Sequence, residues 1–227
     1  MFERIENTKP KTWGLILTPF LLIIGFAGRI NNWPLSWLWL FAFSSIALIA
    51  QFGLGSYQIF LQPMKKGKWK SILGLTVLSF VLSFAASRVG ILLFNNASNA
   101  NPIAKVIVDN SLWENIYFFL TTWISLAGEE LITAAVAFPL YHFLTKRFTS
   151  NKAFLLSSIF AALFFGSLHL STYSWNWYQC LVIIGLTRIP FNYVWKRTDS
   201  LRGGIIAHTL YDYTLFLIML IVALLQH

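Results

Sequence analysis

Long apolar runs alternate with short polar, mostly basic breaks along the chain. The runs cover roughly residues 13–31, 34–55, 71–94, 111–144, 153–170, 177–195 and 203–225. Most approach or exceed the ~20 residues a helix needs to cross the hydrocarbon core of a bilayer. In lipid each must be helical, because only a helix satisfies its own backbone polar groups. The pattern therefore predicts an all-α fold, a polytopic transmembrane bundle of about seven spanning helices. Two segments fall outside it. Residues 55–70, GSYQIFLQPMKKGKWK, set aromatics beside lysines and read as an amphipathic stretch in the interface. Residues 95–110 read as a polar loop on the opposite side.

Composition agrees with a membrane protein. Of 227 residues, 57% are hydrophobic and only 11% charged, whereas soluble domains carry about 25% charged residues. The ten Trp and eight Tyr favour membrane–water boundaries. Neither a repeat nor a linker divides the chain, so residues 1–227 are expected to form one membrane domain. The opening MFERIENTKPKTW lacks a short apolar run ending at a small-residue cleavage site, and the first apolar run is expected to stay as an anchor. The single Cys180 excludes an intrachain disulfide framework and a cysteine-based zinc cluster, and fits a packing role.

The net charge of +9 could suggest a nucleic-acid partner, but its distribution excludes one. With seven spans, thirteen of the seventeen Lys and Arg fall on one side: Arg4, Lys9, Lys11, Lys65, Lys66, Lys68, Lys70, Lys146, Arg147, Lys152, Lys196, Arg197 and Arg202. The other side holds only Arg29 and Lys105. The positive-inside rule places the N-terminus in the cytoplasm and makes membrane lipid the partner of the basic excess.

Seven strongly ionisable residues lie within the predicted spans: Arg88, Glu129, Glu130, His169, Arg188, His208 and Asp212. Each costs roughly 2.5–3.5 kcal/mol near the bilayer centre, so all are expected to face the bundle interior and to mark a functional site. Glu129 and Glu130 are adjacent in the fourth run, and neighbouring helical side chains diverge by about 100°. One is expected to do chemistry and the other to serve a neighbouring wall. His208 and Asp212 lie four apart on one helical face, so Asp212 can orient His208, or both can approach one water or metal. Gly203 and Gly204 before them allow close helix approach. His142, near a membrane boundary, and His227, at the end of the chain, are expected to be bland.

These motifs resemble the CAAX protease and bacteriocin-processing family of intramembrane proteases. The family pattern is a Glu-Glu pair followed by Arg, then Phe-x-x-x-His, then His-x-x-x-Asn or His-x-x-x-Asp. Glu129 and Glu130 match the pair, Phe165 and His169 the second motif, and His208 and Asp212 the third. The resemblance covers residues 111–225, which would carry the catalytic core. One position departs: the family's Arg falls at Ala134. Arg88 and Arg188 are the candidates to supply that cation from another helix.

The resemblance implies hydrolysis of a peptide bond inside the membrane, in a substrate that is lipidated or membrane-embedded. Glu129 would activate water, His169 and His208 would hold that water or a metal and stabilise the developing charge, Asp212 would orient His208, and Glu130 would support them. His169, His208 and Glu129 could hold zinc with an open position; the same groups could run a metal-free glutamate mechanism. Straight helices at 1.5 Å per residue would leave His169 and His208 at different depths, unless tilt or an inward dip of residues 171–176 joins them. If nothing replaces the Arg missing at Ala134, the protein would instead be an inactive relative acting in membrane binding or bacteriocin immunity. A proton-coupled transporter also uses Glu, His and Arg relays, but small size and absent repeat symmetry count against it. The compact N-terminal tail and lack of an organellar targeting signal point to a bacterial plasma membrane.

Overall fold

A computed structural model describes residues 1–225, and every regular element among them is helical. In chain order these are α1 (Phe2–Asn7), α2 (Thr12–Ile30), α3 (Ser36–Phe52), α4 (Leu54–Phe60), α5 (Trp69–Phe94), α6 (Ile103–Asp109), α7 (Leu112–Leu144) and α8 (Ser150–Ser167). A π-helical stretch, Tyr178–Ile184, leads into α9 (Gly185–Thr198), and α10 (Leu201–Leu225) follows. Each of the seven apolar runs is thus largely helical. The expected seven spanning helices are not all met by length and apolarity. α2, α5, α7 and α10 are long and apolar enough to cross a membrane, and α3 with α4 makes a fifth if that bent pair is one span. α8 and α9 fall outside because they are short and carry polar residues such as Lys152, Ser157, Arg188 and Asn192.

The exposed surface explains the apolar excess. Ile16, Phe20 and Ile23 on α2, Val77, Val81 and Phe84 on α5, and Leu217, Ile218 and Ile221 on α10 all face outward. Such stripes are unfavourable in water and suit lipid.

The polar ends sort onto two faces. On one, the basic segments meet: the Lys65 amide donates to the Thr198 carbonyl, Lys196 Nζ donates to Asn151 Oδ1 at 2.8 Å, and His142 Nδ1 meets the Ile5 carbonyl at 2.9 Å. The interfacial stretch belongs to this face. At Gly53, φ is +82°, a conformation open to glycine, and there the chain turns by 120° from α3 into α4. On the opposite face, Asn99 and Gln179 exchange two hydrogen bonds, at 2.7 and 3.0 Å. The one-sided placement of the basic segments therefore rests on direct contacts between them.

α7 is the central post. Its 33 residues span about 50 Å, and a Ser111–Glu114 capping box starts it. Most of its middle is buried, because α3, α8 and α10 pack around it. The approach of α3 requires glycine at Gly128. A Cβ there would lie 2.6 Å from the Phe41 amide nitrogen. That contact fixes the rotation of α7 just before the two glutamates.

Asp199 ties the basic face together. It accepts from the Met1 ammonium at 2.8 Å and lies 3.5 Å from Lys65 Nζ. Burial works to raise its pKa, but the ammonium and Lys65 outweigh burial and hold the carboxyl below its ordinary value. This stabilises the fold above the unfolded carboxyl's pKa of about 4 and is lost as the pH falls through the lower folded value. Asp199→Asn is expected to cost about 1 kcal/mol at neutral pH, read as a lower Tm in detergent, and to flatten the acid limb of the stability profile. An unchanged acid limb would contradict the assignment.

Candidate functional site

Glu130 is fully buried, and three side chains satisfy it. Arg188 Nη1 donates to Oε1 in an ion pair. Trp195 Nε1 donates to Oε2 at 2.7 Å, and His208 Nδ1 lies 3.0 Å from Oε1. A carboxylate only accepts, so Nδ1 of His208 carries a proton. Arg188 is itself held through Nη1 and Nε, while its buried Nη2 has no hydrogen-bond partner among the described residues. Its Nε donates to Asn192 Oδ1 at 3.2 Å, and Asn192 Nδ2 donates to the Ser158 carbonyl of α8. The rings of Phe165 and Trp195 each lie 5.0 Å from the guanidinium carbon, a cation–π cage for a charge out of water. Gly204 makes room for this arrangement, since a Cβ there would collide with Trp195 Nε1 and Glu130 Oε2.

Arg188 thus supplies from α9 the cation that α7 lacks at Ala134. Arg88 does not. It is exposed on α5, with its guanidinium carbon 5.0 Å from the Phe84 ring. The expectation that all seven ionisable residues point inward fails here, because a long side chain near a helix end can carry its charge outward along the lipid face.

Glu129 projects away from Glu130, as adjacent helical positions must, yet both reach one imidazole. His208 turns Nδ1 to Glu130, and its Nε2 lies 3.8 Å from Glu129 Oε2 and 3.6 Å from Asp212 Oδ2. These two separations exceed a direct hydrogen bond and fit a bridging water. Glu129 makes no side-chain hydrogen bond among the described residues. Both outer carboxylates are about one-fifth exposed and line a cavity of about 590 Å³ together with His169, Arg188 and His208.

His169 follows the end of α8 in a turn, where its Nδ1 is fixed at 2.9 Å on the Phe165 carbonyl. The depth mismatch expected of straight helices is absent. The His169 and His208 rings both flank Phe165, at 4.8 and 5.9 Å between centroids. Residues 171–176 contribute as anticipated, because Thr172 and Tyr173 line the cavity and the Tyr173 ring stacks over His169. The Phe-x-x-x-His spacing acquires a physical reason: Phe165 orients His169 through its carbonyl and covers Arg188 with its ring.

The structure therefore groups Glu130, Asp212 and Glu129 around His208, at 3.0, 3.6 and 3.8 Å, and places His169 on the same cavity without a direct polar contact to them. Among the described residues no three His, Cys, Asp or Glu side chains converge to hold a metal. The contacts of His169 and His208 engage Nδ1 and leave each Nε2 toward the cavity. His142 is a buried structural residue, and His227 lies outside the described residues. Trp195 and Asn192 were not anticipated. Trp195 sits seven residues, about two helical turns, beyond Arg188 on one face of α9, a spacing that could have marked it.

Residues 111–214 match the family model of the type II CAAX prenyl endopeptidase Rce1-like proteins. That stretch, a little under half of the chain, is similar to the CAAX protease family. Comparison with curated proteins and with solved structures finds no match for the chain. The matched stretch begins at the cap of α7 and ends just beyond Asp212, so it holds every residue of the cluster.

The buried pair gives a stability test. Arg188→Ala leaves Glu130 charged and unpaired and is expected to cost about 3–5 kcal/mol, whereas removing both charges in Glu130→Leu/Arg188→Met regains much of it. Thermal melting in detergent reads both. A single variant as stable as the parent would show that the pair is not buried as described.

Proposed function

We propose that this protein is an intramembrane endopeptidase that hydrolyses a peptide bond with a water activated by Glu129. The observation that carries this reading is the division of labour between the two glutamates. Glu130 is locked by Arg188, Trp195 and His208, while Glu129 has no such partner and faces the cavity.

A water between Glu129, Asp212 and His208 Nε2 is the nucleophile. Glu129 takes its proton as the oxygen attacks the scissile carbonyl carbon. His169, held by the Phe165 carbonyl, presents Nε2 to the developing oxyanion and stabilises it when protonated. The tetrahedral intermediate collapses, the C–N bond breaks, and Glu129 returns the proton to the leaving amine. Glu130 is a positioning residue: it fixes the tautomer and orientation of His208. No step needs a metal. The inactive-relative reading rested on the cation missing at Ala134, and Arg188 provides one.

The basic face is assigned to the cytoplasm of a plasma membrane, by the positive-inside rule. The cavity extends toward the other face, where Asn32, Ser98, Asn99 and Asn101 line it. Substrate then enters from the non-cytoplasmic side, which favours an exported or membrane-embedded peptide over a cytosolic prenylated protein.

Glu129→Gln is expected to lower cleavage about 10²–10⁴-fold, the contribution of one general base, with little change in Tm because Glu129 supports no other side chain. Peptide cleavage by purified protein in nanodiscs, with melting in parallel, tests this. Cleavage unaffected by Glu129→Gln would remove the mechanism.

A further inference from the structure

The cavity wall carries a charge that the proposed chemistry does not use. Arg29 lies in the last turn of α2, outside the family-matched stretch, and lines the same cavity as Glu129. Its Nε donates to Ser125 Oγ at 2.7 Å. Ser125 precedes Glu129 by four residues, one turn along the same face of α7. Arg29 forms no ion pair among the described residues, and its Nη groups make no hydrogen bond to them. Arg188, the other cation on the cavity, is already neutralised by Glu130.

The position of Arg29 is set by tight packing. Gly28 lies against Trp39 of α3, where a Cβ would come within 2.9 Å of the Trp39 Cβ. α3 in turn lies against Gly128 of α7. With α3 clamped between them, α2 and α7 hold a fixed rotation, and the Arg29 side chain reaches α7 one turn from the base. A half-buried guanidinium with free donors, beside a peptide-sized cavity, suits a planar anion held by two hydrogen bonds.

We propose that Arg29 binds the C-terminal carboxylate of the peptide substrate and so sets which bond reaches Glu129. This rests on the protease reading for its occupant, but binding can be measured without cleavage. The probe is a random-sequence peptide mixture made in two forms, with free C-terminal carboxylates and with carboxamides. Full-length protein in nanodiscs carries Glu129→Gln so that bound peptides persist, and mass spectrometry counts what is retained. The acids are expected to be retained over the amides by at least about tenfold, the scale of one charge-assisted contact. The ratio should fall to near one with Arg29→Gln added and stay above one with Arg29→Lys, which also serves if the Gln variant folds poorly. Equal retention of the two forms, or a ratio indifferent to Arg29→Gln, overturns the proposal. So does a change confined to co-purifying anionic lipid, which would make the bound anion a lipid phosphate. Cleavage of the same mixture by the wild-type chain separates the two readings. Acid-selective retention without cleavage keeps the Arg29 subsite and removes the protease, whereas equal cleavage of both forms does the reverse.

Discussion

The buried ion pair between Glu130 and Arg188 is the constraint on which the site depends. Two charges removed from water cost several kcal/mol each unless geometry and further hydrogen bonds compensate. Here Trp195, Asn192 and His208 supply further hydrogen bonds, aromatic rings cover the guanidinium, and only Nη2 of Arg188 is left without a partner among the described residues. Satisfying the pair fixes α7 against α9, and His208 on α10 joins through the same carboxylate. Three helices thereby acquire one register at the depth where Glu129 and Asp212 face the cavity.

That arrangement gives the two residues of one dipeptide different surroundings, a buried ion pair and an open cavity. A helix cannot aim two adjacent side chains at one point, and this fold uses the divergence. Glu130 spends its hydrogen-bonding capacity on the protein, and Glu129 keeps its own for the cavity. The two nitrogens of His208 face the two glutamates separately, so the imidazole links the position of the ion pair to the edge of the cavity. Glycine at 128 and 204 is part of the same logic, because helices must approach closely to bring these groups together.

Much of this was legible in the sequence, and the rest was hidden for physical reasons. Apolar runs announced the helices and the all-α fold, and costly charges inside them announced Glu129, Glu130, His169, His208 and Asp212. The number of spans was harder, because α8 and α9 mix polar residues into short helices that pack within the bundle. Arg188 could be named only alongside Arg88, since pairing across 58 positions is a tertiary fact. Arg88 points outward because it lies off the face on which Thr76, Ser79, Ala86 and Gly90 are buried at helical spacing. Trp195 was concealed by its abundance: one of ten tryptophans, most of which suit the interface, it is the one that donates to Glu130.

The central claim is that the site is organised by a cation delivered from α9 instead of from α7. Moving that cation tests it most directly. Peptide cleavage should collapse in Arg188→Ala and recover substantially in Arg188→Ala/Ala134→Arg, where the charge returns to Glu130 one helical turn away. Cleavage by Arg188→Ala at the wild-type rate would contradict the account.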